Sequence, residues 1–451
     1  MNYREALEYF RDRSDYDRGF VSNPFAGDDA AAAGLRRTRI VVDALGSPDR
    51  AYPIIHIAGT KGKGSTCAVI ESLARHAGLR TGLFVTPHLH TVRERIQIDA
   101  APVSEAEWAA ATDQVARAVA AVEADHPDLG RVTAFELNTA LALLLFERAA
   151  VDLGIVEVGL GGRLDATNVV EPVVTAITPI SFDHQAILGD TLEAIASEKA
   201  GIIKPGIPVV VAPQEPSAGD AIARRAVVQE APLLRAGHDW QFQAEDGSVS
   251  FSGPWGSLSG VKLGLRGKHQ ADNAGAALMA LWQWSPGLFA NSRALRAGLE
   301  AVLWIGRFEV VHDAPTVVFD GAHNGASVEV LAQTLRDEYP EREYIVVFGS
   351  YRDKDLPAML GALAPLKPRV VATRSTSPRA QDPDVICAAA NKLGLQARVA
   401  TTVPAAVRHA LDSADRNTVI VATGSLSVVA ETREHFGLAQ VSELEREILS
   451  G

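Results

Sequence analysis

The sequence predicts an α/β protein with two domains, each built on a mostly parallel sheet that helices cover on both faces. The chain has 451 residues, which is long enough for two or three domains. Between residues 53 and 180, short runs that are apolar throughout alternate with helical patterns. Strands of that kind are typical of parallel sheets. The same alternation returns after residue 306, which indicates a second domain of the same class.

The first domain is expected to contain four buried strands. They cover residues 53–58, 81–86, 152–159 and 173–180. Two amphipathic helices, at residues 4–12 and 35–45, precede these strands. Residues 23–34, between the two helices, are expected to form a loop.

The sequence pattern changes after residue 214, where Asp-Gly and Ser-Gly turns separate stretches rich in strand-forming residues. We expect a small antiparallel sheet near residues 235–265, followed by a helix over 272–284. A Ser-Pro-Gly break then predicts a domain boundary, so that the domains cover residues 1–302 and 303–451. The second domain is expected to be doubly wound, with strands at 316–320, 344–349, 369–373, 397–400 and 417–423.

Composition and charge exclude several classes of protein. The net charge of −12 argues against a general nucleic-acid binder, which needs a basic surplus. Two cysteines, Cys67 and Cys387, are too few for a disulfide framework or a thiolate metal site. The polar N-terminus lacks a secretory apolar region, and no long uncharged apolar run predicts a membrane span. We therefore expect a cytoplasmic enzyme without a nucleic-acid or membrane partner.

A glycine-rich turn, Gly59–Ser65, joins the first buried strand to the next helix. In a strand–turn–helix context, successive backbone N–H groups and the helix N-terminus attract phosphate, and Lys63 can neutralise its charge. The turn differs from the standard GxxxxGK[ST] loop, because Gly64 separates Lys63 from Ser65. The alternative is a plain glycine turn with solvated lysines.

Three later positions in this domain also carry reactive side chains. Thr86 ends one predicted strand, His184 follows another, and Glu157 lies inside a third. A hydroxyl beside a phosphate loop suits Mg²⁺, and a buried carboxylate needs a partner or a metal. Each residue has a simpler explanation: a strand-ending turn for Thr86, an ion pair with Arg163 for Glu157, and a core histidine for His184. Together they suggest metal–nucleotide chemistry.

A capping-box spacing at residues 190–193 predicts a helix that closes at Gly201 and carries Lys199 in its last turn. On its own, Lys199 is explained by a cation that complements the helix C-terminus.

Motifs along nearly the whole chain resemble those of folylpolyglutamate synthase/dihydrofolate synthase, a branch of the Mur ligase superfamily. In chain order they are GTKGKGS, TPHL, ERI, TAFE, EVGLGGRLDATN, DHQAILGDTLEAIASEKAGI, GKHQADNA, GRFE and DGAHN. The resemblance implies a Mur-ligase-like fold, with an N-terminal P-loop α/β domain that binds ATP and folate. The C-terminal domain would then be a Rossmann-like glutamate ligase domain.

The resemblance also implies a set of site residues. Contacts to ATP are expected from Gly59, Thr60, Lys61, Gly62, Lys63, Gly64, Ser65, Asn273, Arg307 and Asp320. Two Mg²⁺ sites are expected on Thr86, Glu157 and His184. The catalytic group would comprise Lys63, His184, a carbamylated Lys199, Arg307 and His323. A pterin pocket would be formed by Thr133, Ala134, Phe135, Leu164, Asp165 and Ala166.

The activity that this resemblance implies is ATP-dependent amide ligation through an acyl phosphate. L-glutamate would be added to dihydropteroate, to reduced folates, or to both, by a monomer whose two domains close around ATP. Three departures from the family pattern are visible. Lys61 replaces the usual asparagine, Thr86 replaces a serine, and the segment before Gly34 is longer and more acidic.

Three other functions compete with this interpretation. One is a Mur-type ligase acting on a non-folate carboxylate, such as a nucleotide-linked wall precursor. Ligases for such precursors usually carry an extra N-terminal nucleotide-sugar domain, for which the 58 residues before Gly59 are too few. A P-loop kinase or simple ATPase leaves the second domain and Lys199 without a task. A catalytically silent nucleotide-binding regulator would not need the intact set of Lys63, Glu157, His184 and Lys199.

Overall fold

The computed structural model describes residues 1–13, 28–245, 247–439 and 442–449. Its α-helices are α1 (Tyr3–Arg11), α2 (Asp28–Ala44), α3 (Lys63–His76), α4 (Glu105–Asp125), α5 (Ala134–Arg148), α6 (Gln185–Leu188), α7 (Leu192–Lys199), α8 (Pro216–Val228), α9 (His269–Trp284), α10 (Ser292–Ala301), α11 (Gly325–Glu338), α12 (Leu356–Leu363), α13 (Pro383–Lys392), α14 (Val403–Asp412), α15 (Leu426–His435) and α16 (Glu443–Leu449).

The strands form three sheets. They are β1 (Ile54–Ala58), β2 (Thr81–Phe84), β3 (Ile96–Ile98), β4 (Ala101–Pro102), β5 (Leu153–Glu157), β6 (Val174–Ile177), β7 (Val209–Val211), β8 (Leu233–Arg235), β9 (Gln241–Glu245), β10 (Ser248–Gly253), β11 (Gly256–Val261), β12 (Glu309–Asp313), β13 (Thr316–Phe319), β14 (Glu343–Phe348), β15 (Arg369–Ala372), β16 (Gln396–Val399) and β17 (Thr418–Thr423).

The first sheet has eight strands in the order β4-β3-β2-β5-β1-β6-β7-β8. Its six strands from β2 to β8 run parallel, and β3 and β4 extend one edge in antiparallel orientation. β1 and β5 lie at the centre with every residue buried, as their continuous apolar pattern predicts. Helices α3, α9 and α10 cover one face, while α1, α2, α4 and α5 share the core of the other face. The carboxyl ends of β1, β5 and β6 therefore open at the same edge.

The second sheet has six strands in the order β12-β13-β17-β14-β15-β16. All its pairs are parallel except β12 with β13. The predicted mixed α/β class of both domains is thus observed. A separate three-stranded antiparallel sheet, β11-β10-β9, packs through Phe251 and Leu258 against the core of the first sheet.

Three local expectations were wrong. The stretch expected as a loop is helical from Asp28 onward, because an alanine run has high helix propensity; its first part, residues 23–27, lies outside the described residues. The region after residue 214 is not uniformly β-rich, since α8 starts at Pro216, a residue favoured in a first turn, and β8 joins the first sheet. Helix α7 is capped by Thr191, which accepts from the Ala194 N–H at 3.1 Å, and not by a box at 190–193.

The segment after the Ser-Pro-Gly break holds helix α10. α10 packs on α3, with Gly298 against the backbone of Leu73 and Leu299 fully buried. None of the described helices is both long and apolar enough to span a bilayer.

Replacing Leu299 by alanine is expected to lower the free energy of unfolding by about 2–5 kcal/mol, because a fully buried leucine leaves a cavity between α10 and α3. Chemical denaturation measures this loss. Leu303→Ala is the matched control: Leu303 is 82% exposed, so the same change should stay within about 0.5 kcal/mol. Equal effects of the two variants would contradict the packing of α10.

Candidate active site

The glycine-rich turn lies between β1 and α3. Gly59 leaves β1 with a φ of +144°, and a Cβ there would lie 1.8 Å from the Thr178 hydroxyl oxygen, so only glycine fits. The backbone N–H groups of Thr60 and Lys61 both donate to the carbonyl of Pro179, at 3.1 and 3.2 Å. These bonds fix the turn against the segment that follows β6.

Helix α3 begins at Lys63 with Gly62 as its N-cap. Because glycine has no side chain to accept their hydrogen bonds, the N–H groups of Lys63, Gly64 and Ser65 face the end of the helix. Such an N-terminus favours an anion. Gly62 has a φ of +86°, and a Cβ there would lie 2.3 Å from the Asn273 side-chain oxygen. The turn and α9 are therefore in close contact.

Glu157 ends β5 as a buried carboxylate. It accepts a hydrogen bond from the Thr86 backbone N–H at 2.9 Å, and the Lys63 amine lies 3.9 Å away. Burial raises the pKa of Glu157, while Lys63 and the Thr86 N–H oppose that shift. Arg163 is not its partner, since that guanidinium pairs with Glu198 at 2.8 Å. Glu157 therefore faces the glycine-rich turn Gly59–Ser65, here called the phosphate loop.

Asp165 is a second buried carboxylate, but its oxygens are already engaged. It accepts from the backbone N–H groups of Leu160 at 2.8 Å and Thr167 at 3.0 Å, and from the Thr167 hydroxyl at 2.5 Å. Burial raises its pKa against these hydrogen bonds. Its carboxylate thus shapes the loop after β5.

His184 lies beyond the end of β6 in the left-handed region, with a φ of 48°. Its side chain is 53% exposed, so it is not a core histidine. Partial burial lowers its pKa, against the attraction of Asp183 at 3.8 Å. A neutral imidazole at this edge keeps a lone pair for a metal or a proton.

Lys199 is buried in the last turn of α7. Burial, together with the charge of Lys63, lowers the pKa of this amine to about 7. A simple helix-end cation would be exposed and fully charged. Lys199 instead has a neutral fraction near physiological pH, which gives its nitrogen a nucleophilic lone pair.

The second domain contributes Arg307, Asp320 and His323. Asp320 follows β13, is partly buried, and accepts from the N–H groups of Phe308 at 2.8 Å and Ala322 at 2.9 Å. Burial raises the pKa of Asp320, and the Arg307 guanidinium opposes that shift. Burial lowers the pKa of His323.

A cavity of about 1000 Å³ lies between the two domains and brings most of the predicted residues together. Those at its wall are Thr60, Lys61, Gly62, Lys63, Gly64, Ser65, Thr86, Thr133, Phe135, Glu157, Leu164, Asp165, Ala166, His184, Asn273, Arg307, Asp320 and His323. Three predicted residues lie behind the wall: Gly59, Ala134 and Lys199. The phosphate loop, the predicted pterin pocket and the second domain thus face a common space.

The residues at this wall fit a divalent cation that is shared with phosphate. In the described part of the chain, no three His, Cys, Asp or Glu side chains gather closely enough to hold a metal alone. Thr86, Glu157 and His184 offer one hydroxyl, one carboxylate and one imidazole. Mg²⁺ is usually bound by one or two carboxylates, with phosphate and water oxygens completing its shell. The donor set therefore suits Mg²⁺ bound with a nucleotide.

Comparisons with known proteins identify the family of the chain. The family models for the Mur ligase middle domain and the Mur ligase glutamate ligase domain match residues 57–281 and 306–426. The dihydrofolate synthase/folylpolyglutamate synthase of Bacillus subtilis is 39% identical over 347 residues, which are 73% of this chain and 78% of that protein. The chain belongs to the dihydrofolate synthase/folylpolyglutamate synthase family.

Two solved structures show which ligands members of the family bind. Escherichia coli FolC in complex with DHPP and ADP has a TM-score of 0.84 at 30% identity and covers 97% of this chain and 98% of its own. The Yersinia pestis bifunctional synthase with AMPPNP and a Mn ion has a TM-score of 0.77 at 33% identity, covering 90% and 94%. The predicted family, fold class and ligase activity are confirmed.

Several cavity residues of this ligase were missed from the sequence. Trp304 packs on the phosphate loop, where a Cβ on Gly64 would lie 3.0 Å from its indole. Tyr351, Lys354 and Arg379 line the wall on the side of the second domain. The GRFE motif begins two residues after Trp304 and is the sequence signal nearest to it. None of the motifs quoted above includes Tyr351, Lys354 or Arg379.

A buried ion pair also escaped prediction. The Arg37 Nε donates to Glu136 at 2.7 Å, and Thr133 caps the same turn of α5 by accepting from the Glu136 N–H. Glu136 belongs to the TAFE motif, which pointed to this helix start. Arg37 has no comparable signal, since the helical pattern of α2 does not say which arginine turns inward.

Gly62→Ala is expected to weaken ADP binding by about tenfold or more, or about 1.4 kcal/mol, because the new methyl group displaces Asn273. Calorimetric titration with ADP and Mg²⁺ measures the effect. Gly78→Ala is the control: it has a similar φ of +90° with nothing within 4 Å, so it should cost about 1–2 kcal/mol of stability without changing ADP affinity. Equal ADP affinities in both variants would contradict this role of Gly62.

Proposed function

We propose that this ligase uses ATP to join L-glutamate to dihydropteroate and to the γ-carboxylate of folates that already carry glutamate. The observation that carries the proposal is the cavity in which the phosphate loop, Thr133 and Phe135, and residues of the second domain face one another. A phosphoryl group passes directly to a carboxylate only when the two are held side by side. The FolC relative with bound DHPP and ADP supports a pteroate-type acceptor beside the nucleotide.

In this proposal the phosphate chain of ATP lies on the N-terminus of α3. Lys63 neutralises the transferred phosphoryl group, and Arg307 and Asp320 bind the nucleotide from the second domain. Asn273 contributes from α9 through its contact with the loop. The remaining proposed ATP contacts are Gly59, Thr60, Lys61, Gly62, Gly64 and Ser65. Gly59 acts by shaping the turn, since it lies behind the wall.

Two Mg²⁺ ions would be held by Thr86 and Glu157 at one site and by His184 at the other, each with phosphate oxygens. When bound, they supply positive charge that offsets the charge of the triphosphate. Glu157 is held for this role by a hydrogen bond from the Thr86 backbone N–H, so this bond does not use the Thr86 hydroxyl. The partly exposed His184 can reach a ligand in the cavity.

The reaction then has two steps. The acceptor carboxylate attacks the γ-phosphate of ATP, so that an acyl phosphate and ADP form, with Lys63 and Arg307 stabilising the transferred group. The amine of L-glutamate next attacks the activated carbonyl, loses a proton and expels phosphate. His323 lies at the wall with its pKa lowered by burial, so as a neutral imidazole it can accept that proton.

The acceptor's ring system would lie along the wall formed by Thr133, Phe135, Leu164 and Ala166. Phe135 provides an aromatic surface, and a Cβ on Gly159 would lie 2.5 Å from its ring, which fixes the ring beside β5. Asp165 shapes the loop here through its bonds to Leu160 and Thr167. Ala134 contributes only through its backbone position in the first turn of α5.

Lys199 is proposed to act as a carbamate. Its neutral amine attacks CO₂, forms an N–C bond and releases one proton, which turns the uncharged amine into a carbamate anion. Its burial near Lys63, whose positive charge would stabilise that anion, supports the modification. The carbamate would lie behind the cavity wall and orient the groups in front of it.

The remaining proposals concern organisation. We infer domains of residues 1–302 and 303–451, because α10 packs on the first domain and β12 begins the second sheet at Glu309. The monomeric state and the cytoplasmic location stay predictions from the sequence.

Phosphate release with ATP, Mg²⁺ and L-glutamate is expected to rise with dihydropteroate and also with tetrahydrofolate. Product mass should show one glutamate added to each acceptor. The cavity carries both a nucleotide end and an acceptor wall, so turnover requires all three substrates together. Stimulation by only one acceptor would restrict the activity to a single step.

Lys63→Ala provides the background for that assay. It should lose roughly a hundredfold or more in turnover, because the proposed phosphoryl site would lose the cation that lies 3.9 Å from Glu157. Stimulation by neither acceptor, with ADP binding intact, would place the substrate outside the folates and favour a ligase for another carboxylate.

Lys199→Arg is expected to lose roughly a hundredfold or more in turnover, together with the carbamate signal that ¹³C-bicarbonate gives by NMR. In the protein that keeps Lys199, this carbamate signal should grow as the pH rises through about 7, because the neutral fraction of the amine increases. Lys204→Arg is the matched control, since Lys204 donates to the Asn168 carbonyl at 2.9 Å. A carbamate signal that survives in Lys199→Arg would contradict the assignment.

A further inference from the structure

The last helix of the chain, α16, follows the second sheet but packs in the core of the first domain. Ile448 is 2% exposed and belongs to the same apolar cluster as Leu7 and Phe10 of α1. Arg446 pairs with Glu434 of α15, so α16 keeps a link to the second domain. The two domains are thus joined through α16 as well as through the linker before β12.

Glu445 is the polar residue that α16 buries, with its side chain 3% exposed. Its carboxylate accepts from the Thr91 hydroxyl at 2.7 Å, from the Val92 N–H at 3.2 Å and from the Tyr3 hydroxyl. Arg93 lies 3.9 Å away and supplies a positive charge. A carboxylate with this many donors is held firmly, and the donors are ordered in return.

The residues that Glu445 binds begin a 3₁₀ turn, Val92–Arg95, whose N-cap is Thr91. Glu94 in that turn accepts from the backbone N–H groups of Leu89 at 2.7 Å, His90 at 3.1 Å and Thr91 at 3.2 Å. The segment between Thr86 and Arg95, here called the β2–β3 loop, is therefore folded around the Glu94 carboxylate.

The β2–β3 loop forms part of the cavity wall. Leu89, Glu94 and Arg95 line the cavity, and Arg95 donates to the His88 ring at 2.9 Å. At the start of the loop, the Thr86 N–H binds Glu157. Hydrogen bonds thus run from α16 through Glu94 to Leu89, and the chain continues from there through His88 and Pro87 to Thr86 at the proposed nucleotide site.

We propose that Glu445 is a positioning residue for the ligase reaction: from the end of the chain it fixes the β2–β3 loop, and through it Thr86 beside Glu157. The effect on turnover rests on the proposed function, whereas the ordering of the loop does not. A purely anchoring role for α16 would instead be carried by Ile448 and would not depend on the Glu445 charge.

Glu445→Gln tests the proposal, with Glu447→Gln as the matched control on the same helix. Glu447 faces solvent and pairs with Arg4 at 3.1 Å. In Glu445→Gln, an amide that also carries donors replaces a carboxylate that only accepts, among groups that are all donors. Backbone amide hydrogen exchange in residues 86–95 should therefore quicken by about tenfold or more, while exchange in the paired strands β13 and β17 stays unchanged. Glu447→Gln should leave exchange in that loop as it is.

Steady-state kinetics supply the second measurement. Glu445→Gln should lower kcat by about tenfold and raise the Mg²⁺ concentration needed for half-maximal rate, with ADP affinity unchanged, because α3 and its phosphate loop are not displaced. Thr91→Val keeps the side-chain size but removes one donor to Glu445 and the hydroxyl that accepts from the Arg93 N–H, so it should show the same changes in exchange and kinetics. It also provides the test if Glu445→Gln does not fold.

Unchanged exchange in residues 86–95, or equal quickening in Glu447→Gln, would overturn the proposal. A different outcome is that the unsubstituted protein turns over neither folate acceptor while loop exchange is still faster in Glu445→Gln. That result would uphold the positioning of the loop and contradict the proposed function instead. Faster exchange with full kcat would show that the loop is held by Glu445 but that turnover does not need it, which also overturns the proposal.

Discussion

Burial of charge at the carboxyl ends of β5 and α7 is the constraint on which the rest of the site depends. Glu157 is a carboxylate inside a fully buried strand, and Lys199 is a buried amine in the last turn of α7. An isolated buried charge is costly, so each needs an opposing group or must become neutral. Glu157 has Lys63 and the Thr86 N–H, and Lys199 has a lowered pKa. The contacts of Glu157 with Lys63 and with the Thr86 N–H position the phosphate loop and the β2–β3 loop.

Close backbone approach is the second requirement, and it links the domains. Gly59 and Gly62 leave no room for a Cβ against Thr178 and Asn273, so β1, β6 and α9 meet at the phosphate loop. Trp304, in the linker, packs on the start of α3 and brings the second sheet to the same edge. The cavity between the domains follows from these contacts, because its two walls belong to different sheets.

Much of the fold was predictable because its determinants are local. A parallel strand covered on both faces is apolar at every position, and this pattern located all nine predicted strands of the two main sheets to within a few residues. The errors came where composition was ambiguous. The alanine run before Gly34 predicts a loop, although α2 begins at Asp28, and the composition after residue 214 predicts strands where α8 begins at Pro216.

The sequence by itself determined which chemical groups stand at the strand ends, since the strand, turn and helix around each of them are set by neighbouring residues. Tertiary structure decided their partners. In the folded protein, Arg163 pairs with Glu198 and not with Glu157, and His184 is half exposed. Glu445, near the other end of the chain, contacts the β2–β3 loop. The physical reason is distance: an ion pair or hydrogen bond forms only within a few ångströms, and separation along a chain does not fix separation in space.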